Sequence, residues 1–358
     1  MRKWISLFVL CFSFFFGASS ALAQSFPTPV EHDLMVVHLP AGEEKVFQAP
    51  FLFHAFALNE IEGVQVRFRL ADRWSEWQAL GLEEEEWSGS ELLLLPSSRI
   101  FALKSQRPLT LQVTLIRVPD MPFQLVQSDS IVSDVLVRAD AEPGFHIISR
   151  KEWGADESIG TFVPEPSNGS EAGEKDDVNI CAPIEKAYPG QFQLTGKIVY
   201  NDDAGRPLIW PRQYSQKIKK VVVHHSAKSV RDLNADGRMD SRDFRLAVQA
   251  IYTYHTVSRG WGDIGYHYLV DPQGNVYEGR AGGLGVIAAH VLCQNSNTVG
   301  ISVMGNFEEE PLPEKSFEGL VRITKYLSDV YDINPFAKSS FRGEILPNIL
   351  THAEVGAL

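Results

Sequence analysis

Between about Ser25 and Asp140 the apolar positions come in short runs separated by Gly, Pro, Asp and Ser. Val64-Gln65-Val66-Arg67-Phe68-Arg69-Leu70 alternates apolar and polar residues, which is the period of a half-buried strand. Leu92 to Leu95, Ile100 to Leu103 and Leu109 to Ile116 read as further strands. No long stretch here repeats every 3.6 residues, so the pattern predicts an all-β sandwich. Trp74 and Trp77 stand three apart near a strand end. Their spacing suits stacking on sugar rings, but core or edge packing is the simpler reading, because Trp is mostly buried wherever it occurs. Glu83 to Glu86 reads as a solvated loop.

The pattern changes near Phe145. Pro164 to Asp177 is a polar, Pro- and Gly-containing loop, and Asn168-Gly169-Ser170 inside it fits a glycosylation acceptor for a eukaryotic secretory path. From Ile218 onward strands and helices alternate. Lys219 to His224 predicts a buried strand. Asp243 to Val257 predicts a helix with Phe244, Val248, Ile251 and His255 on one stripe. Tyr266 to Val270 and Asn275 to Glu278 predict a hairpin about Asp271-Pro272-Gln273-Gly274, and Thr298 to Met304 another strand. Pro313 to Tyr331 predicts a second helix with Phe317, Leu320, Val321, Leu327 and Val330 facing inward. No internal repeat is visible.

Length and charge sharpen the picture. At 358 residues two domains are expected. The chain has 33 basic and 45 acidic residues, a formal charge of −12. It lacks the basic field that duplex DNA, RNA or an anionic bilayer attracts, so no nucleic-acid partner is expected. Met1-Arg2-Lys3, an apolar run from Trp4 to Ala18 and then Ser19-Ser20-Ala21-Leu22-Ala23 fit a secretory signal cleaved after Ala23. No later stretch is apolar enough to span a bilayer, so the expected location is secreted or periplasmic. Cys11 leaves with the signal. Cys181 and Cys293 remain, either as a disulfide, which an exported chain permits, or as two buried thiols.

The histidines are few and placed where chemistry is expected. His224 and His225 end an apolar strand and point to opposite faces, so only one can line a given site. Gly260-Trp261-Gly262-Asp263-Ile264-Gly265-Tyr266-His267-Tyr268 leads directly into a strand. Gly279-Arg280 closes the hairpin, His290 follows, and Thr351-His352 ends a short strand near residue 358.

Together with Ile147-Ile148-Ser149-Arg150-Lys151-Glu152-Trp153-Gly154-Ala155, these pieces resemble the zinc-dependent N-acetylmuramoyl-L-alanine amidases that share a fold with peptidoglycan recognition proteins. The resemblance runs from about Phe145 to the end. It implies a central mixed β-sheet flanked by helices for an amidase-like domain (145–358), which the signal (1–23) and β-sandwich (24–144) read from the residue pattern precede. It implies zinc held by His224, His352 and a Cys, with Tyr266 assisting catalysis and His290, Arg280 and Trp261 in the substrate groove. It implies peptidoglycan or muropeptides as partner and cleavage of the amide between N-acetylmuramic acid and L-alanine.

The chemistry agrees. Zinc with three protein ligands lowers the pKa of its water to about 7, and a phenol can donate a hydrogen bond to the developing oxyanion. In the family the Cys follows shortly after the second His. Only six residues follow His352, none of them Cys, so the third ligand is expected beyond residue 358. The alternative is a peptidoglycan-binding module that does not cut.

Asp232-Leu233-Asn234-Ala235-Asp236-Gly237-Arg238-Met239-Asp240-Ser241-Arg242-Asp243 fits a twelve-residue calcium loop at every key position but the last, where Asp replaces Glu. The expected ligands are Asp232, Asn234, Asp236, the carbonyl of Arg238, Asp240 and Asp243, in a structural role. A plain Asx-rich turn capping the helix is the simpler alternative. A calcium-stabilised adhesion or scaffold protein is a third reading of the whole chain, but it leaves His224, Tyr266 and His352 without a common purpose.

Overall fold

Alternating strands in the first part of the chain pair into one continuous sheet. The computed structural model describes residues 31–80, 92–117, 143–161, 181–227, 230–233 and 236–356. The signal segment, Glu83 to Glu86, the loop Pro164 to Asp177 and Asn234 lie outside the described residues. The N-terminal strands are β1 (Glu31–Leu39), β2 (Glu44–Leu58), β3 (Val64–Leu70), β4 (Arg73–Trp74), β5 (Gln78–Ala79), β6 (Leu93–Ser105) and β7 (Leu109–Arg117). Their order is β1-β7-β2-β6-β3-β4, with β5 on β3, and every pairing is antiparallel.

The all-β reading therefore holds for the described strands, which pair along a single path. The long strand β2 shapes that path. Its register against β6 shifts between Gln48 and Phe53, and its end pairs with β7 as well. A bulge of this kind bends a strand and increases its twist, so one sheet can wrap its own core. Phe53, Phe56, Phe68 and Phe101 fill that core, with ring centroids 5.1 to 6.1 Å apart in edge-on pairs. Trp74 and Trp77 pack at the edge. The Arg67 guanidinium lies 4.6 Å from each ring, and the Lys104 ammonium lies 4.2 Å from Trp77. Cations thus occupy the aromatic faces that a sugar would need.

The second part holds a six-stranded sheet of β8 (Ile147–Ile148), β11 (Lys220–His225), β12 (Tyr268–Val270), β13 (Val276–Glu278), β14 (Thr298–Val303) and β17 (Ile349–Thr351). Two hairpins stand beside it: β9 (Leu194–Asn201) with β10 (Pro207–Ser215), and β15 (Lys338–Phe341) with β16 (Glu344–Pro347). The order is β17-β11-β14-β12-β13-β8, parallel throughout except for the β12–β13 hairpin. The helices are α1 (Arg150–Trp153), α2 (Ala182–Ala187), α3 (Ser241–Thr253), α4 (Glu314–Val330) and α5 (His352–Gly356). The mixed sheet flanked by helices is the architecture the resemblance implies.

Helix α3 buries Phe244, Val248, Ile251 and, in the wide turn that continues it, His255. Its remaining faces are covered too. Ala55, Ala57, Leu92, Leu94 and Ile116 of the N-terminal sheet share one apolar cluster with Phe244, Ala247 and Ile251.

Helix α4 departs from expectation, because Phe317 and Val321 are exposed. The face turned inward carries Ser316, Gly319, Ile323, Leu327 and Val330. The cause is a close approach to the β12–β13 turn. A Cβ on Gly319 would lie 2.6 Å from the Gly274 carbonyl oxygen, so small residues must occupy the contact face and larger ones turn outward.

Two long-range ties complete the domain. Cys181 and Cys293 form a disulfide across 112 positions. Lys220, fully buried, directs its ammonium at the carbonyls of Ser339, Leu346 and Pro347, the Ser339 hydroxyl and Asn348 Oδ1, at 2.8 to 3.1 Å. Five acceptors replace the water that a buried cation loses.

Candidate active site

The site forms where adjacent parallel strands end. Val223 of β11 pairs with Thr351 of β17, so the next residues, His224 and His352, emerge side by side. Their ring centroids are 4.8 Å apart. Tyr266, half-buried just before β12, brings its ring to 5.2 Å from His224. His225 points the other way, as strand alternation requires. Its Nδ1 accepts the Phe307 amide at 3.2 Å.

Beneath His224 lies a buried hydrogen-bond chain. His224 Nε2 is 3.0 Å from His290 Nδ1, and His290 Nε2 is 3.1 Å from Thr298 Oγ1. The Thr298 hydroxyl has one proton and sits 2.9 and 3.0 Å from the carbonyls of Gln294 and Asn295. It donates there and accepts from His290 Nε2–H. His290 Nδ1 is then unprotonated and accepts from His224 Nε2–H. Donor counting thus leaves Nδ1 as the lone-pair nitrogen of His224. Burial pushes the pKa of His224 and of His290 well below the usual imidazole range, so both are neutral at pH 7. Gly300 makes room for this chain: a Cβ there would lie 2.5 Å from the His290 ring.

The expected groove residues occupy varied places. His290 is only 3% exposed and supports His224 from behind. Trp261 is half-buried, with its ring 4.6 Å from His255, whose own ring is 5.5 Å from Tyr266. Arg280 donates to the backbone carbonyls of Trp261 at 2.9 Å and Ile264 at 3.2 Å, so it braces the loop before Tyr266. Asp263 braces the same loop, accepting from Arg150 at 3.0 Å and from the Ala281 amide at 2.9 Å. Gly279 cannot be replaced easily, because a Cβ would meet the Tyr266 carbonyl at 2.2 Å. Sequence reasoning missed Thr298, His255 and Arg150. Of these His255 lay on the predicted α3 stripe and Arg150 in the motif that opens the domain, while Thr298 carried no signal.

The two site histidines suit zinc, which favours imidazole nitrogen. They are two donors, and among the described residues no three His, Cys, Asp or Glu side chains stand together to hold a metal. The aspartates of the predicted calcium loop are engaged with backbone amides. Asp243, fully buried, accepts from Leu233 N at 2.7 Å and Asp240 N at 2.8 Å. Asp232 accepts from Asp236 N and Gly237 N, Asp236 from Arg238 N, and Asp240 from Arg242 N. Asp240 and Asp243 form a reciprocal capping box at the start of α3. Arg238 is exposed. These hydrogen bonds give the described acidic residues a turn and capping role.

Paired strand-end histidines and a neighbouring tyrosine on a mixed sheet with flanking helices thus make up the candidate site. Residues 214–356 match the N-acetylmuramoyl-L-alanine amidase family. Peptidoglycan-recognition protein SC2 of Drosophila melanogaster is 48% identical over 108 residues, which cover 30% of this chain and 54% of that protein. Peptidoglycan recognition protein 1 of Bos taurus is 38% identical over 93 residues, covering 26% of this chain and 44% of that one. This stretch is therefore similar to N-acetylmuramoyl-L-alanine amidases and peptidoglycan recognition proteins. The chain spans about half the length of the curated relatives it matches. The crystal structure of Drosophila peptidoglycan recognition protein SD overlaps 60% of this chain and 86% of its own at 17% identity and a TM-score of 0.35, too loosely to add to that assignment.

Proposed function

We propose that this domain binds peptidoglycan fragments and hydrolyses the amide between N-acetylmuramic acid and L-alanine. One observation carries the reading: His224 and His352 stand 4.8 Å apart at the ends of adjacent strands, with Tyr266 5.2 Å from His224. His224 and His352 would hold zinc with a third ligand from outside the described residues. Bound there, zinc would supply a water acidic enough to act at neutral pH.

The chain's own groups do the rest. The His290–Thr298 chain holds His224 in one tautomer and orientation. The Tyr266 phenol, at the cleft rim, donates a hydrogen bond to the carbonyl oxygen as negative charge grows on it. Arg280 and Asp263 fix the loop that carries Tyr266. The products are a lactyl carboxylate on the sugar and a free amine on alanine. The apolar leader at the N-terminus supports export to where such a substrate lies. Among the described residues no helix is long and apolar enough to cross a membrane.

The test uses the full natural protein. Zinc content and release of free L-alanine amine from a muropeptide are measured for wild type, His224→Ala and Tyr266→Phe. The expected result is loss of both in His224→Ala, and retained zinc with slowed release in Tyr266→Phe. Undiminished release from His224→Ala would remove the hydrolase reading. A second reading, recognition without cleavage, is supported by the likeness to peptidoglycan-recognition protein SC2. It predicts muropeptide binding with no amine released.

A further inference from the structure

The rings of the site continue in a row. His352 neighbours His224, His224 neighbours Tyr266, Tyr266 neighbours His255, and His255 neighbours Trp261, at centroid separations of 4.8, 5.2, 5.5 and 4.6 Å. The next aromatic residue comes from the β9–β10 hairpin. Trp210 donates its indole N–H to the carbonyl of Gly260 at 2.7 Å. Its Cδ1 lies 2.8 Å from where a Cβ on Gly262 would sit, and Gly262 has a φ of +70°. The indole therefore packs against the two glycines that flank Trp261. Yet 55% of Trp210 remains exposed.

That combination is unusual for a packing residue. A tryptophan that merely fills space is mostly buried. Here the polar edge is satisfied internally, the side chain is anchored, and much of its aromatic surface stays in water. The platform beneath is firm. A Cβ on Gly160 would lie 2.6 Å from the Gly262 carbonyl oxygen, so the loop is held from its other side. Isolated bridges from Leu208 to Thr161 and from Tyr214 to Val286 fasten the hairpin near both ends of β10. Trp210 also precedes the segment 214–356 that matches the family, so the match does not supply it.

We propose that Trp210 forms an outer sugar subsite of this cleft, stacking its indole face on a pyranose ring of the peptidoglycan glycan strand. This rests on the reading of the site given above. The amide at the reaction centre has two arms. The peptide arm carries small side chains and carboxylates, which cationic groups recognise. The glycan arm presents flat faces of C–H bonds, which match the electron-rich face of an indole. Anchoring through Gly260 fixes the plane of the ring in advance, so little freedom is lost when a sugar settles on it.

Calorimetry on the full chain tests this with two probes: a muropeptide bearing a disaccharide repeat, and the free stem peptide. The variants are Trp210→Ala and Trp210→Phe. Trp210→Ala is expected to weaken the glycan-bearing probe about three- to tenfold, the range of an aromatic stacking contact, and to leave the free peptide unchanged. Trp210→Phe keeps a ring face and is expected to restore most of the loss. Unchanged glycan binding in Trp210→Ala overturns the subsite while the reading of the site stands. Equal loss of both probes also overturns it, because the loop rather than a sugar contact is then at stake. If the wild type binds neither probe, the reading of the site falls, and the subsite with it.

Discussion

His224 Nε2 and His290 Nδ1 stand 3.0 Å apart, and the Thr298 hydroxyl beyond them sets the direction of every proton in the chain. His290 thus acts through His224. Replacing His290 with Phe keeps the ring volume against Gly300 and removes the hydrogen bond. Zinc affinity in the full natural protein is expected to fall about 10- to 100-fold, the usual cost of losing such support. Competition against a chelating dye reads this directly. Unchanged affinity would show that His224 needs no orienting partner.

Buried histidines also set an acid limit. His267 accepts the Gly300 amide at Nδ1 and donates from Nε2 to the Val286 carbonyl, which leaves no room for a second proton. Burial pushes its pKa down to about 4. An unfolded histidine titrates near ~6.5. Between those values the unfolded chain holds a proton that the folded chain refuses, so stability falls as pH drops. His267 alone is expected to remove about 3 kcal/mol across that window, and His224 and His290 shift it in the same direction. Urea unfolding at about pH 7.5, 6 and 5 measures the slope. A flat profile below about pH 6.5 contradicts the assignment of these rings as neutral.

The disulfide closes a loop of 112 positions. The chain-entropy treatment assigns a crosslink of that span about 4 to 5 kcal/mol. Cys293→Ser, or reduction of the wild type, is expected to lower the melting temperature by many degrees. Calorimetry with and without reductant checks it, and coincident melting curves refute it.

Asp243 separates two accounts of the loop before α3. As a capping residue it stabilises the helix through two backbone amides, whether or not calcium is present. Asp243→Ala is therefore expected to cost about 1 to 3 kcal/mol in buffer containing EDTA. A purely ionic role predicts no loss there. Adding calcium to the wild type is the companion measurement, and a large rise in melting temperature would restore the metal-loop reading.

The sequence announces local features well. The alternation of Val64 to Leu70 and the α3 stripe both describe faces that the structure buries, because one layer of packing decides each. Phe317 and Val321 misled, since Gly319 meets Gly274 of a distant turn and no local period records that approach. The register shift of β2 between Gln48 and Phe53 left no mark in the local pattern either. His224 and His352 were legible as strand-end residues within recognisable motifs. Their support was not. Thr298 matters because its hydroxyl faces Gln294 and Asn295, and His290 because it sits under His224. Trp210 was silent too, since its anchor at Gly260 is 50 positions away.

The Lys220 ammonium, held by acceptors of the β15–β16 hairpin and by Asn348, links positions 128 apart. It lies on β11, which carries His224, and three of its acceptor residues, Leu346, Pro347 and Asn348, lie just before β17, which His352 directly follows. The two histidines meet only when this last segment docks. The buried ammonium thus acts as a clasp: weakening its hold on Leu346, Pro347 and Asn348 would loosen the very segment that sets His352 beside His224.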